Sequence, residues 1–315
     1  MKQAKLKAIW PWLILGCAST TSIGAASDAE DANRSPSEEP YSQPIVNVTI
    51  ADVPVLVAAP QRITGHTPLI IMYHGFGPPN TPELLSQALP PIPNALTVYP
   101  SMPLVGARMP AGGVDELLRR QREDYVGAIL YPSILGAAHE LPQIIEALSK
   151  KYRLSKSSPL ILFGFSAGGA AALLSLTESG VRPRAVVVVN SPLSIAQAVD
   201  GYDRQTKGAY TWTGKAREAA AHYDLEKNAG QIVRSNPKLA LLKLQSDQDA
   251  GFSVSTAQAA AMALNKAAAR YGLATDISTR TLSGSDHYVL TGSESAAAKR
   301  TIIDWISSQG FPNSP

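Results

Sequence analysis

Ser158–Leu174 reads SPLILFGFSAGGAAALL. Leu160 to Phe163 is an apolar run closed by Gly164. Ser166 stands between Gly164 and Gly168, and small residues and leucines follow from Gly169 to Leu174. The pattern is strand, sharp turn, helix, with G-x-S-x-G at the turn. Such a turn is expected to hold Ser166 in a strained backbone conformation. The two glycines let strand and helix crowd together around it. The hydroxyl then stands at the carboxyl edge of a sheet, beside a helix N-terminus that favours developing negative charge. With glycine at roughly 7% of an average chain, the bare pattern arises by accident about once in ten chains of this length. The flanking strand and helix make accident rarer still, so Ser166 is read as a nucleophile.

Outward from this turn the chain alternates strands and helices. Val46 to Ile50 and Val55 to Ala58, around Asp52-Val53-Pro54, predict an antiparallel hairpin at a sheet edge. Leu69 to Tyr73 is continuously apolar, as a strand buried on both faces must be. Leu96 to Tyr99, Ala185 to Val189 and Leu239 to Leu244 predict further strands, and Ile277 to Leu282 the last. Ile134 to Tyr152 has apolar residues at helical spacing and reads as a crossover helix. Ser255 to Tyr271 and a closing segment around Ile302 to Ile306 with Trp305 also read as helices. The order predicts an α/β fold, with a mostly parallel, doubly wound sheet covered by helices on both faces and sites at the carboxyl ends of strands.

On this motif and order the chain from about Val46 to Gly310 resembles the α/β-hydrolase family. The resemblance implies a Ser-His-Asp triad in the chain order Ser166, Asp249, His287. Asp249 is chosen by spacing in Gln245-Ser246-Asp247-Gln248-Asp249, where many relatives read H-G-x-x-D, and Asp247 is its alternative. His287 lies in Gly284-Ser285-Asp286-His287-Tyr288 after the final strand, where the family places its base. His74-Gly75-Phe76-Gly77 resembles the segment that gives one oxyanion-hole donor, so the implied donors are the N–H groups of Phe76 and Ala167. His74 precedes the serine and is expected to brace that loop. Residues 194–237 form a long insert carrying Tyr202, Tyr210, Trp212 and Tyr223, with helical character from Ala216 to Val233. The resemblance makes it a lid; a plain packing element is the alternative. The Pro- and Gly-rich stretch Ser101 to Gly113 is read as one wall of the site. The charged run Asp115 to Asp124 is read as a solvated helix face, with an anion-binding role for its arginines as the alternative.

The N-terminus carries Lys2, Lys5 and Lys7 before an apolar core, too short to span a bilayer stably. It predicts a signal segment within residues 1–26. Ile14-Leu15-Gly16-Cys17 resembles a bacterial lipobox, with Cys17 as the lipidated residue and a membrane anchor as the consequence. Ordinary cleavage near Gly24-Ala25-Ala26 is the alternative. Cys17 is the single cysteine of the chain, so no internal disulfide can form. Residues 27–44, rich in Ser, Asp, Glu and Pro, read as a disordered tether, and residues 45–315 as one hydrolase domain. The formal charge of +3 falls to zero once three lysines and no acid leave with residues 1–16. Nothing therefore points to nucleic acid. The expectation is an exported protein, either an outer-membrane or cell-surface lipoprotein or a periplasmic or secreted one. It would be a serine hydrolase acting on a small-molecule carboxylic ester, with no cofactor and no metal. Two alternatives stand beside it: a peptidase or amidase similar to prolyl-oligopeptidase-like proteins, and a non-catalytic binding lipoprotein with a hydrolase fold.

Overall fold

The computed structural model describes residues 43–292 and 295–309. The signal segment, Cys17 and nearly all of the tether lie outside the described residues. No described helix is long and apolar enough to cross a membrane.

The edge hairpin forms from β1 (Ile45–Ile50) and β2 (Val53–Ala58), and β2 pairs antiparallel with β4 (Leu96–Pro100). From there β4, β3 (Leu69–Tyr73), β5 (Leu160–Phe165), β6 (Ala185–Val189), β7 (Ala240–Ser246) and β8 (Asp276–Leu282) run parallel, in that spatial order. Helices α1 (Pro82–Ala88), α2 (Gly113–Asp124), α3 (Tyr131–Tyr152), α4 (Ala167–Glu178), α5 (Ile195–Thr206), α6 (Gly214–His222), α7 (Ala229–Ser235), α8 (Val254–Arg270) and α9 (Ser295–Ser308) connect and cover them.

Alternate residues of one strand feed different layers, because successive side chains of a strand point to opposite faces. Leu162, Val186 and Val188 join the core under α3, α4 and α8. Ile161, Phe163, Phe165, Val187 and Val189 join the core under α1 and α9, with Leu85, Leu89, Ile302 and Trp305. Strands covered on both sides are apolar at nearly every position, and that is why these runs were legible without an alternating pattern. Buried polar residues interrupt the pattern at Thr97 in β4 and at Lys243, Gln245 and Ser246 in β7, and the Lys243 ammonium donates to the Ser191 carbonyl at 3.1 Å.

Helix α3 keeps Ile134, Leu141, Ile144 and Leu148 on its buried stripe and ends at Arg153 in the left-handed conformation (φ 54°). The insert is three helices rather than one. The helical pattern from Ala216 to Val233 is broken where Asp224 bridges to Ser194 and Leu225 N–H donates to the Leu193 carbonyl. Backbone pairing to the segment after β6 takes these residues out of the helix.

Candidate active site

The turn between β5 and α4 is as tight as the sequence requires. Ser166 has φ 53° and ψ −121°, a conformation that L-residues rarely adopt. A Cβ on Gly164 would lie 2.3 Å from the Gly168 carbonyl oxygen, and one on Gly168 would lie 2.4 Å from the His74 carbonyl oxygen. Only glycine lets strand, helix and the loop after β3 meet at these points.

The loops after β5, β7 and β8 bring three predicted residues together. His287 Nε2 lies 3.1 Å from Ser166 Oγ, and His287 Nδ1 lies 2.8 Å from Asp249 Oδ2. Asp249 is held in turn: its Oδ1 accepts from the N–H groups of Gly251 (2.7 Å) and Phe252 (3.2 Å), and its Oδ2 accepts from Gln245 Nε2 (3.2 Å). Burial alone would raise the Asp249 carboxyl. The His287 hydrogen bond and charge and the donors from Gly251 and Gln245 outweigh it, and the group lies below the usual range. The imidazole is enclosed by the rings of Phe165, Phe252 and Tyr288, with centroids 5.4, 5.7 and 5.5 Å away. Asn190 ties the β8 loop to β7: its Nδ2 donates to the His287 carbonyl (3.0 Å) and the Ser246 hydroxyl (2.9 Å). The alternative acid, Asp247, points elsewhere and accepts from Gly284 N–H at 2.9 Å.

The loop after β3 borders the same cavity through Phe76 and Gly77. His74 is fully buried there. Its Nε2 accepts from Met102 N–H (3.1 Å), so Nδ1 carries the proton and donates to the Gly75 carbonyl (2.8 Å). The loop is thereby fixed to the end of β4. Ala167 opens α4, where a helix leaves its N–H groups without intrahelical partners, and Ala167 also lines the cavity.

The cavity of about 80 Å³ beside Ser166 is walled by Phe76, Tyr125, Leu130, Tyr202 and Phe252, with exposed Gln205 at its mouth. The wall expected from Ser101 to Gly113 is not there. Arg108 of that stretch pairs with Glu140, and α2 with the π-helical turn Tyr125–Leu130 supplies the wall instead. Of the three α2 arginines weighed for anion binding, Arg119 and Arg120 are taken up by neighbours, and Arg122 is exposed and does not line the cavity. Arg119 pairs with Glu116 and Glu123, and Arg120 pairs with Glu116. Asp124 is not on a solvated face either. It caps the π turn through Gly127 N–H (2.7 Å) and accepts from Thr213 Oγ1 (2.7 Å) and from the Tyr210 hydroxyl, linking wall to insert. Of the insert aromatics, Tyr202 reaches the cavity and stacks on Tyr125 at 4.4 Å. Tyr223 is buried away from it, donating to the Pro192 carbonyl.

No sequence-family model matches the chain, and no curated protein matches it significantly. Solved structures do match. The TT1662 protein of Thermus thermophilus shares 18% identity over 85% of this chain and 98% of its own, with a TM-score of 0.61. An acylaminoacyl peptidase of Pyrococcus horikoshii also superposes with a TM-score of 0.61, at 13% identity over 88% of this chain. This chain spans only 43% of that peptidase. A hormone-sensitive lipase from a metagenome library matches at 14% identity over 86% of this chain and 85% of its own, with a TM-score of 0.53. With its mostly parallel eight-stranded sheet, the chain has the α/β-hydrolase fold.

Proposed function

We propose that this protein is a serine hydrolase that cleaves a carboxylic ester through an acyl-enzyme, with Ser166 as nucleophile, His287 as base and Asp249 as the acid. The observation that carries the reading is the continuous chain Ser166 Oγ, His287 Nε2, His287 Nδ1, Asp249 Oδ2, with both contacts at hydrogen-bond distance. As Ser166 Oγ bonds to the acyl carbon, its proton passes to His287 Nε2. Asp249 accepts from Nδ1–H and stabilises the imidazolium. The carbonyl oxygen becomes an oxyanion facing the N–H groups of Phe76 and Ala167. The C–O bond then breaks, and the alcohol leaves with the proton from His287. Water, losing a proton to His287, attacks the acyl carbon and releases the acid and free Ser166. This chemistry uses the chain's own residues throughout.

A peptidase reading has one observation in its favour, the likeness to the Pyrococcus enzyme over most of this chain. Export is proposed with it, through the N-terminal segment and with Cys17 as the lipidated residue. Globomycin-sensitive processing is the expected result, and a mature start after Ala26 would overturn the lipid anchor.

The test of the reading is fluorophosphonate labelling of wild type and Ser166→Ala, with p-nitrophenyl ester and peptide p-nitroanilide turnover in the same samples. Wild type should be labelled and turn over esters, and Ser166→Ala should lose the label and on the order of 10⁴-fold or more in rate. Anilide cleavage at rates comparable to ester cleavage would decide for the peptidase. A folded wild type that takes no label would decide for a binding protein.

A further inference from the structure

Asp249 stands in a stretch, residues 249–252 between β7 and α8, that has no helix or strand of its own. What fixes the carboxylate therefore has to come from its neighbours. On the β7 side Gln245 Nε2 donates to Asp249 Oδ2 and to the Phe252 carbonyl (3.0 Å). On another side lies α5, the first helix of the insert. A Cβ on Gly201 would stand 3.3 Å from the Gly251 carbonyl oxygen, so α5 packs directly against this stretch.

Arg204 follows Gly201 by three residues, on the same face of α5. Its Nε donates to the Ala250 carbonyl at 3.0 Å, and its Nη2 donates to the Gly251 carbonyl at 2.6 Å. These carbonyls belong to the two peptide units whose N–H groups, on Gly251 and Phe252, donate to Asp249 Oδ1. A peptide unit is planar, so fixing its carbonyl fixes the direction of its N–H. A cationic donor on the carbonyl also polarises the amide and strengthens its N–H as a donor. The rigid guanidinium fork holds both units at once, which the point charge of a lysine does not do in a fixed geometry. Arg204 is exposed, so its charge alone would act weakly through solvent. Its hold on Asp249 runs through the two peptide planes.

Resting on the hydrolase reading, we propose that Arg204 is a positioning residue for Asp249, which makes the insert a built-in support of the acid and not a lid that swings clear of the site. The same helix lines the cavity through Ala198, Tyr202 and Gln205, so one element sets a cavity wall and the direction of the acid together.

The test is a double-mutant cycle in p-nitrophenyl ester turnover, with Arg204→Met and Arg204→Lys made in wild type and in Asp249→Ala. Arg204→Met should lose roughly five- to twentyfold in kcat, with KM within about twofold, because a misplaced acid weakens the transition state and leaves the cavity as it was. Arg204→Lys should recover part of that loss. In Asp249→Ala the Arg204→Met loss should fall below about twofold, since no carboxylate is left to position. The low-field proton NMR signal of His287 Nδ1–H should shift or broaden in Arg204→Met. A loss of the same factor with and without Asp249, a change confined to KM, full kcat in a folded Arg204→Met, or an unmoved Nδ1–H signal overturns the proposal. The hydrolase reading then still stands if wild type is labelled by fluorophosphonate. Should Arg204→Met fail to fold, the cycle with Arg204→Lys decides by the same criteria. A wild type that neither takes the label nor turns over ester overturns the two together.

Discussion

Two loops at the carboxyl edge of the sheet each hold a buried histidine, and they differ in what the ring nitrogens meet. His74, after β3, has main-chain groups on both sides: the Gly75 carbonyl accepts from one nitrogen and the Met102 N–H donates to the other. A carbonyl can only accept and an amide N–H can only donate, so the ring is locked as one neutral tautomer with no proton to exchange. His287, after β8, has a carboxylate on Nδ1 and a hydroxyl on Nε2. A hydroxyl can both donate and accept. The carboxylate fixes the tautomer that leaves Nε2 ready for the hydroxyl proton. Burial is nearly the same, with 0% of His74 and 4% of His287 exposed, so burial does not tell a brace from a base. The partner's capacity to give up a proton does.

The largest effect that separates the two loops is on turnover. On the proposed mechanism, His287→Gln should lose on the order of 10⁴-fold or more in kcat, because the proposed base goes and the geometry largely stays. His74→Gln should lose at most about 10²-fold, acting only through the position of the N–H of Phe76, the proposed oxyanion donor. It should instead lose roughly 1–3 kcal/mol of stability through the main-chain partners left buried. Equal kinetic losses, with both variants folded by circular dichroism, would break the distinction.

The next effect lies on the acid side. Asp249→Asn presents an amide where His287 Nδ1–H needs an acceptor, and a loss of about 10³- to 10⁴-fold in kcat is expected. Asp247→Asn removes a carboxylate that accepts from Gly284 N–H at the exposed end of the loop. It should cost less than about threefold, within the small range of surface changes. Steady-state ester turnover of the two variants checks this, and a larger loss at Asp247 would reassign the acid.

These two aspartates show how far the sequence could be read. The turn at Ser166 was legible because its geometry is local: glycines at fixed offsets, an apolar strand before and small residues after. The central parallel strands were legible because burial on both faces leaves few polar positions. Asp249 and Asp247 are separated by one residue in one loop, and spacing alone left both open. The choice depends on where β8 ends and on Asn190 holding the His287 carbonyl, which is a tertiary fact. The cavity wall was out of reach for the same reason. Gln121 comes from a segment that read as a solvated charged face and Tyr125 directly follows it, and only the π turn after Asp124 and the stacking on Tyr202 bring them to the cavity beside Ser166. Gln245 was noted only as part of a spacing pattern, though its amide holds both Asp249 and the Phe252 carbonyl. Lys243 was hidden as one polar letter in an apolar run. Burial pushes it down to about 7, against the pull of Asp249.

The smallest effect sharpens the comparison through pH. Burial pushes His74 down to about 4, with the hydrogen bond to Gly75 and the charge of Glu83 opposing. An unfolded histidine titrates near 6.5. Between about pH 4 and 6.5 the unfolded chain therefore binds a proton at this position that the folded chain refuses. Stability contributed by neutral His74 is then complete above about pH 6.5 and falls as pH drops, by on the order of 3 kcal/mol at pH 4. His74→Gln has no such proton to refuse. The signed gap in unfolding free energy, wild type minus His74→Gln, measured by urea titration at pH 7.5, 6.5, 5.5 and 4.5, should therefore fall steadily over the three acidic points, crossing zero where the loss exceeds the starting advantage of wild type. Other carboxylates lower the stability of both proteins over this range, and the difference removes their share. A gap that rises towards pH 4.5 would mean that the folded protein holds a proton on His74. Its two main-chain partners could not then both be kept, because a charged ring donates from both nitrogens and the Met102 N–H would face a donor. That outcome would erase the contrast between the two loops, whereas a falling gap assigns the neutral, locked ring to His74.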